Sequence, residues 1–247
     1  MKKLLILAMV TLAGCIGPRS LTPASVYDFG FQRLSTASGT SGGSGSMRMQ
    51  ASLSVAEAVA PAWLDSTAIH YRLAYHDLAQ SHSYANSRWA ASPATLLTQR
   101  VRNRIATINR NGVVGTADGA KTDYVLRLQL EEFTQLFDTP GKSRATVEFR
   151  ASLIERASRS LIAQRIFSID QAAPSPDASG AVRALTDSSD KLIGQLIDWL
   201  VEELAADDEK RQAQGNKASA SPKTAWDGKY GATSGNYQLY QAFVSHT

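Results

Sequence analysis

Polar and apolar positions along this chain alternate with two different periods, and the changes of period mark out its elements. Val26-Tyr27-Asp28-Phe29-Gly30 is short, apolar and closed by glycine, as a strand is. From Met47 the apolar residues fall on every second position (Met47, Met49, Ala51, Leu53, Val55), which predicts a half-buried strand that Pro61 ends. Trp63-Leu64-Asp65-Ser66 makes a corner, and Ile69, Tyr71, Leu73 and Tyr75 set the phase of a second strand over 68–75. Residues 77–87 are polar and read as turn. The period then changes. Ser92-Pro93 opens a helix, with serine able to cap free N–H groups and proline tolerated at the first helical position. Leu97, Val101, Ile105 and Ile108 form its apolar stripe to about Asn109, and Gly112 stops it. Three strands follow over 122–133, 144–154 and 160–169, joined by hairpin-like turns at Thr139-Pro140-Gly141-Lys142 and Arg156-Ala157-Ser158-Arg159. A long amphipathic helix over about 177–204 carries Val182, Leu185, Leu192, Leu196, Leu200 and Val201, with one wide gap in the stripe. This order predicts an α/β (α+β) fold of two layers, a mostly antiparallel sheet with two main helices packed on it.

Both ends fall outside that pattern. Lys2 and Lys3 precede an apolar run over 4–13, about half the roughly 20 residues a bilayer span needs, with the proportions of a signal-peptide core. Leu12-Ala13-Gly14-Cys15 follows and holds the chain's one cysteine. The arrangement resembles the bacterial lipobox. That implies cleavage before Cys15, a diacylglycerol thioether on its sulfur, and a mature chain held in the membrane by lipid. Each buried CH₂ contributes about 0.8 kcal/mol, so several acyl chains hold firmly where one holds marginally. Ile16 stands where an aspartate in such proteins signals inner-membrane retention, so the implied address is the outer membrane, facing the periplasm. The expected organisation is a signal peptide over 1–14, then a lipidated N-terminus with a short strand and a flexible linker over 15–46. An α/β domain over 47–205 and a polar, disordered tail over 206–247 complete it. The linker, STASGTSGGSGS at 35–46, has too little apolar surface to repay the entropy of ordering it.

Composition narrows the chemistry. With Cys15 acylated no thiol remains, so no disulfide can form even in an oxidising compartment, and burial must supply the stability. Of the net charge of +4, Lys2 and Lys3 leave with the leader, so the mature chain carries about +2. That argues against a dedicated nucleic-acid binder. Arg100, Arg102, Arg104 and Arg110 read as a solvated helix face, with lipid headgroups or an acidic partner as the alternative. His70, His76 and His82 recur at six-residue spacing, which is about 20 Å of extended chain and too far for one metal to bridge. Gly39-x-Ser41-x-Gly43 has the letters of a hydrolase elbow but neither the strand before it nor the helix after it. Glu131-Glu132 are neighbours in a strand, so they point to opposite faces and make no acid–base pair. No P-loop or dinucleotide fingerprint is present. No catalytic residue, cofactor or metal site is expected, and the chain does not read as an enzyme.

One stretch is more specific. Tyr84-Ala85-Asn86-Ser87-Arg88-Trp89-Ala90-Ala91-Ser92-Pro93-Ala94-Thr95-Leu96-Leu97-Thr98-Gln99-Arg100 joins an aromatic-basic turn to a capped helix. Taken with the lipobox, Tyr27-Asp28-Phe29-Gly30 and Trp63-Leu64-Asp65-Ser66-Thr67-Ala68-Ile69-His70-Tyr71-Arg72, it resembles the ABC-type transport auxiliary lipoprotein component family. That family includes the outer-membrane lipoprotein of paraquat-inducible, MCE-type lipid transport systems. The resemblance covers about 15–204. It implies a non-catalytic, lipid-anchored adaptor whose partners are MCE-type or other ABC transporter subunits, with self-assembly into a homo-oligomeric ring left open. Trp63, Tyr84, Arg88 and Trp89 lie in turns beside strands, and aromatics and arginine are enriched at protein–protein hot spots. These four are the candidate partner contacts. The competing reading makes Trp63 and Trp89 core plugs, and Arg88 is expected to be exposed or else paired with a carboxylate such as Asp28. A second function, accessory to assembly of an outer-membrane secretion or surface-polymer system, fits the same anchor.

Overall fold

The computed structural model describes residues 23–30 and 49–219. Cys15, the glycine-serine run and Ser41 lie outside the described residues. The elements in chain order are β1 (Ser25–Tyr27), β2 (Leu53–Val55), β3 (Ala68–Leu73), β4 (Asp77–Trp89), α1 (Pro93–Ala106), β5 (Val114–Gly115), β6 (Tyr124–Thr139), β7 (Lys142–Glu155), β8 (Leu161–Ala172) and α2 (Ala178–Ser219).

β6 is the hub of one eight-stranded sheet. β7 runs antiparallel along one of its edges, and β8 runs antiparallel to β7. The other edge of β6 is shared. β2 pairs parallel with its start, Leu53 opposite Tyr124, and β3 pairs parallel with its end, Leu73 opposite Phe137. β5 extends the first branch, and β4 and β1 extend the second. The expected α/β fold, a mostly antiparallel sheet carrying two helices, is the observed one.

The alternation in β7 shows why. Ala145, Val147, Phe149, Ala151 and Leu153 are fully buried, while the residues between them are only partly covered. One face of the sheet therefore packs and the other does not. The helices supply the second layer. Leu97, Val101 and Ile105 of α1, and Leu185, Leu192, Leu196 and Leu200 of α2, are all at zero exposure. They share one core cluster with Leu126, Leu128 and Leu130 of β6. Burying a side chain of this size contributes about 1.5–3 kcal/mol.

In β6 the inward phase is carried by Tyr124, Leu126, Leu128 and Leu130, then by Phe133, Gln135 and Phe137. The phase changes from even to odd without leaving the core because the strand bulges. Leu130 pairs with Phe149 and Glu132 with Glu148, so Glu131 is the extra residue. One inserted residue keeps both halves of the strand facing the same side.

Several expectations are corrected. Residues 77–87 form most of β4 rather than a turn. This strand is mostly exposed up to Trp89, so its backbone ladder with β3 holds it, not an apolar stripe. The strand expected over 47–55 shrinks to β2. Leu53, Ser54 and Val55 are all buried, because β2 lies between β5 and β6 and is covered on both faces. Ser92 does not cap α1 through its side chain, and its hydroxyl meets Thr95 Oγ1 at 3.1 Å.

Arg100 does not belong to the solvated face expected of the α1 arginines. It is 9% exposed, and its guanidinium donates to both carboxylate oxygens of Asp190 on α2, at 2.7 and 2.6 Å, and to the Gly30 carbonyl at 3.1 Å. Arg102 donates to the Val55 carbonyl at 2.8 Å and pairs with Glu57, while Arg104 and Arg110 are exposed as expected.

Helix α2 begins on Asp177, whose carboxylate accepts the Gly180 N–H at 2.7 Å and the Ser175 hydroxyl at 2.8 Å. The gap in its apolar stripe is filled by Ser188 and Ser189, both fully buried. A Cβ on Gly180 would lie 2.0 Å from the Ser175 carbonyl oxygen, so only glycine lets the preceding loop approach. The helix also continues to Ser219, past the end expected near Leu204. The chain divides at Asp207/Asp208 into two compact units, and in the second the side chains of 208–216 are exposed.

Candidate functional site

The candidate contact residues separate onto different surfaces. Trp89 is 1% exposed, packed edge-on to Phe29 at 5.7 Å and against Phe133 at 5.6 Å, so it is a core residue and presents no surface to a partner. Tyr84 packs on Tyr71 at 4.9 Å and donates its hydroxyl to Gln135 Oε1 at 2.5 Å. Burial raises the pKa of its phenol, so it stays a donor. Arg88 is exposed. Its exposure is the first of the two expectations for it; among the described residues Arg88 makes no ion pair with Asp28, whose carboxylate accepts the Gly30 N–H at 2.7 Å.

Trp63 is 36% exposed and forms a cluster with β3. The Arg72 guanidinium lies over its ring at 5.0 Å, and His70 meets it edge-on at 5.6 Å. His70 and Arg72 are two apart on a strand and share a face. Tyr71 lies between them and points the other way. Trp63 and Tyr84 therefore sit on opposite faces of β3 and do not form one patch. Burial holds the His70 imidazole below its usual pKa, with the Arg72 charge acting in the same direction and Glu132 against it.

The three histidines do not converge. His70 is on β3, His82 stacks on Tyr71 at 5.1 Å, and His76 lies in the turn between the strands. Among the described residues there is no group of three His, Cys, Asp or Glu side chains placed to hold a metal. Among the described helices none is long and apolar enough to cross a membrane.

The sheet face away from the helices holds a feature that the sequence did not single out. Arg127 of β6 and Arg150, Ser152 and Ile154 of β7 occupy the outward positions of strands whose inward positions are core. They line a cleft of about 650 Å³, walled also by Val59 and Leu161. A second hollow of about 470 Å³ shares Ala56, Thr116, Arg127 and Ile154 with it and adds Arg156 and Arg159 from the β7–β8 turn. The outward phase of Arg127 and Arg150 was readable from the alternation. The meeting of Arg127 with a turn about 30 residues away, and of both with the loop after β2, was not, because it depends on strand pairing.

The comparisons with known proteins agree with the fold. A family model described as ABC-type transport auxiliary lipoprotein component matches residues 33–197, more than half of the chain. Among curated proteins nothing matches the chain in sequence. Among solved structures, a Xanthomonas campestris protein assigned to the DUF330 family superposes with a TM-score of 0.61 at 19% identity, covering 75% of this chain and 99% of that one. A second structure, an uncharacterized protein, superposes with a TM-score of 0.54 at 13% identity, covering 72% and 99%. At these identities the two structures establish a shared fold. A PelC dodecamer from Paraburkholderia phytofirmans gives a TM-score of 0.35 at 14% identity, covering 62% of this chain and 93% of that one.

Proposed function

Because the chain belongs to the ABC-type transport auxiliary lipoprotein component family, we propose that it is a non-catalytic adaptor of an MCE-type lipid transport system. In this reading it is tethered by lipid on Cys15 to the periplasmic side of the outer membrane. The observation that carries the reading is the family match over 33–197. The signal-like opening and Leu12-Ala13-Gly14-Cys15 in front of it support the anchor. The ATPase and permease are then separate chains, and this one docks their lipid-carrying subunit.

The docking contact is assigned to the Trp63–Arg72 cluster and to exposed Arg88. Trp63 presents a partly exposed ring already held by a cation–π contact, and rigid aromatic and arginine anchors are the side chains that dominate interface energy. Tyr84 is a weaker candidate because its hydroxyl is already engaged.

The test is affinity recovery of the lipidated protein from gently solubilised membranes. MCE-type or other ABC transporter subunits are expected with it, and Trp63→Ala is expected to reduce their recovery at an unchanged thermal midpoint. Recovery of none, under conditions that keep other envelope complexes intact, would overturn the reading.

A further inference from the structure

At one end of the sheet, the turn between β3 and β4 carries two exposed apolar side chains. Tyr75 is 49% exposed and Leu78 is 56% exposed. This turn adjoins the one between β6 and β7, because the Ala74 N–H donates to the Phe137 carbonyl at 2.8 Å. The polar groups beneath the two side chains are engaged within the hairpin. The His76 N–H donates to the Leu73 carbonyl at 3.0 Å, and the Ala79 N–H donates to Asp77 Oδ1 at 2.8 Å. The Arg72 guanidinium donates to the carbonyls of Leu78 and Ala79, at 3.0 and 3.4 Å. The turn thus presents apolar side chains on a backbone whose polar groups face inward, which is what contact with lipid requires.

The path of the chain adds an independent observation. β1 runs parallel to β4, with Ser25 opposite Ser87 and Tyr27 opposite Trp89. β4 runs from the turn toward Trp89, so the N-terminal end of β1 faces the turn. From Ser87 back to Asp77 is ten residues, about 33 Å of strand. From Ser25 back to Cys15 is also ten steps, at most about 35 Å. Lipid on Cys15 can therefore lie level with Tyr75 and Leu78 without the chain reversing its direction.

We propose that the β3–β4 turn rests on the surface of the anchoring membrane, with Tyr75 and Leu78 set into the headgroup layer. Tyrosine has an apolar ring with a polar tip, and such rings settle at that depth. Lys142, exposed on the adjoining turn, brings a cation to the lipid phosphates. The entry of the chain aims this end of the sheet at the anchor, which favours a lipid surface over a protein partner. Two side chains do not hold the domain in place, since even one myristoyl chain binds only marginally. The contact instead orients it, and the β7–β8 turn at the far end of β7 points away from the membrane. The inference rests on the lipid anchor of the adaptor reading.

The experiment uses the full lipidated chain in vesicles of phosphatidylethanolamine and phosphatidylglycerol that include a lipid spin-labelled near the top of its acyl chains. His76→Cys carries a fluorescent dye on the β3–β4 turn, and Ala157→Cys carries it on the β7–β8 turn; both positions are exposed. With the Cys15 sulfur acylated, the introduced thiol is the only one the dye meets. The dye on the β3–β4 turn is expected to shift to the blue and to be quenched, and the dye on the β7–β8 turn to do neither. Adding Tyr75→Ser and Leu78→Ser to the His76→Cys chain abolishes the shift and the quenching, at an unchanged thermal midpoint and with the chain still floating with the vesicles. A floating chain whose two dyes behave alike overturns this proposal and leaves the anchor standing. A chain that does not float overturns the anchor, and the proposal with it. A dye on the β3–β4 turn that lipid leaves bright, and that shifts only when transporter subunits are added, marks a protein contact and overturns the proposal too.

Discussion

Arg100 illustrates what a single residue contributes when its partner lies far along the chain. Its guanidinium joins α1 to α2 through Asp190 and holds the Gly30 carbonyl. Asp190 is 37% exposed, so solvent weakens the pair relative to a fully buried one. Arg100→Gln and Asp190→Asn are each expected to destabilise by about 1–3 kcal/mol, with a coupling of about 1 kcal/mol in the double-mutant cycle. Urea titration of the four proteins measures it, and strictly additive losses would mean that the two side chains act independently. His70 carries a pH prediction. Burial lowers its folded pKa below the ordinary 6.5. Folding therefore disfavours its protonation, and the stability it contributes is present above 6.5 and lost as pH falls through the folded value. The wild type should lose stability on acidification below 6.5 more steeply than His70→Gln, as read from thermal midpoints across that range.

At the scale of elements, the bulge in β6 gives the sharpest test. Deleting Glu131 removes the extra residue and leaves plain alternation, Leu130 inward, Glu132 outward and Phe133 inward, with the pairing to β7 kept on both sides. Deleting Arg127 instead, in the regular part of the strand, moves the residues on one side of it to the opposite face. The Glu131 deletion is expected to keep cooperative folding, and the Arg127 deletion to abolish it. Circular dichroism during thermal unfolding separates the two outcomes. The same comparison explains what the sequence could convey. β7 was legible because its inward positions are uniformly apolar and its neighbours are not. α1 was legible because Leu97, Val101 and Ile105 face one core. β4 was not, since its order comes from pairing with β3 while most of its side chains remain in solvent. β2 was blurred because it is short and buried on both faces. The continuation of α2 beyond Leu204 was masked by polarity, although its Ala, Glu, Lys, Gln and Arg are good helix formers. The cleft on the helix-free face was hidden for a different reason. Arg127 and Arg159 are ordinary surface residues until the sheet brings them together.

For the whole molecule, the question is whether tether and fold are separable. The N-terminal strand β1 lies at a sheet edge, parallel to β4, with Ser25 opposite Ser87. Ser25 is exposed and Val26 is 53% exposed, and the first core side chain among the described residues is Phe29. Nine residues lie between Cys15 and Ser25, a stretch of ten Cα–Cα steps. Fully extended that stretch reaches at most about 35 Å, long enough in the proposed reading to hold the core of the domain clear of the headgroups. In the proposed reading, lipid on Cys15 determines where the domain works and contributes nothing to how it folds. Cys15→Ser is expected to lose lipid labelling and membrane retention while keeping the wild-type circular dichroism spectrum and a thermal midpoint within about 1 °C, since surface changes remote from the core stay within about 0.5 kcal/mol. Fractionation and thermal unfolding of the same preparation decide it. A variant that stays in the membrane would refute the lipobox assignment. One that leaves the membrane with a much lower midpoint would show that anchor and domain share an interface.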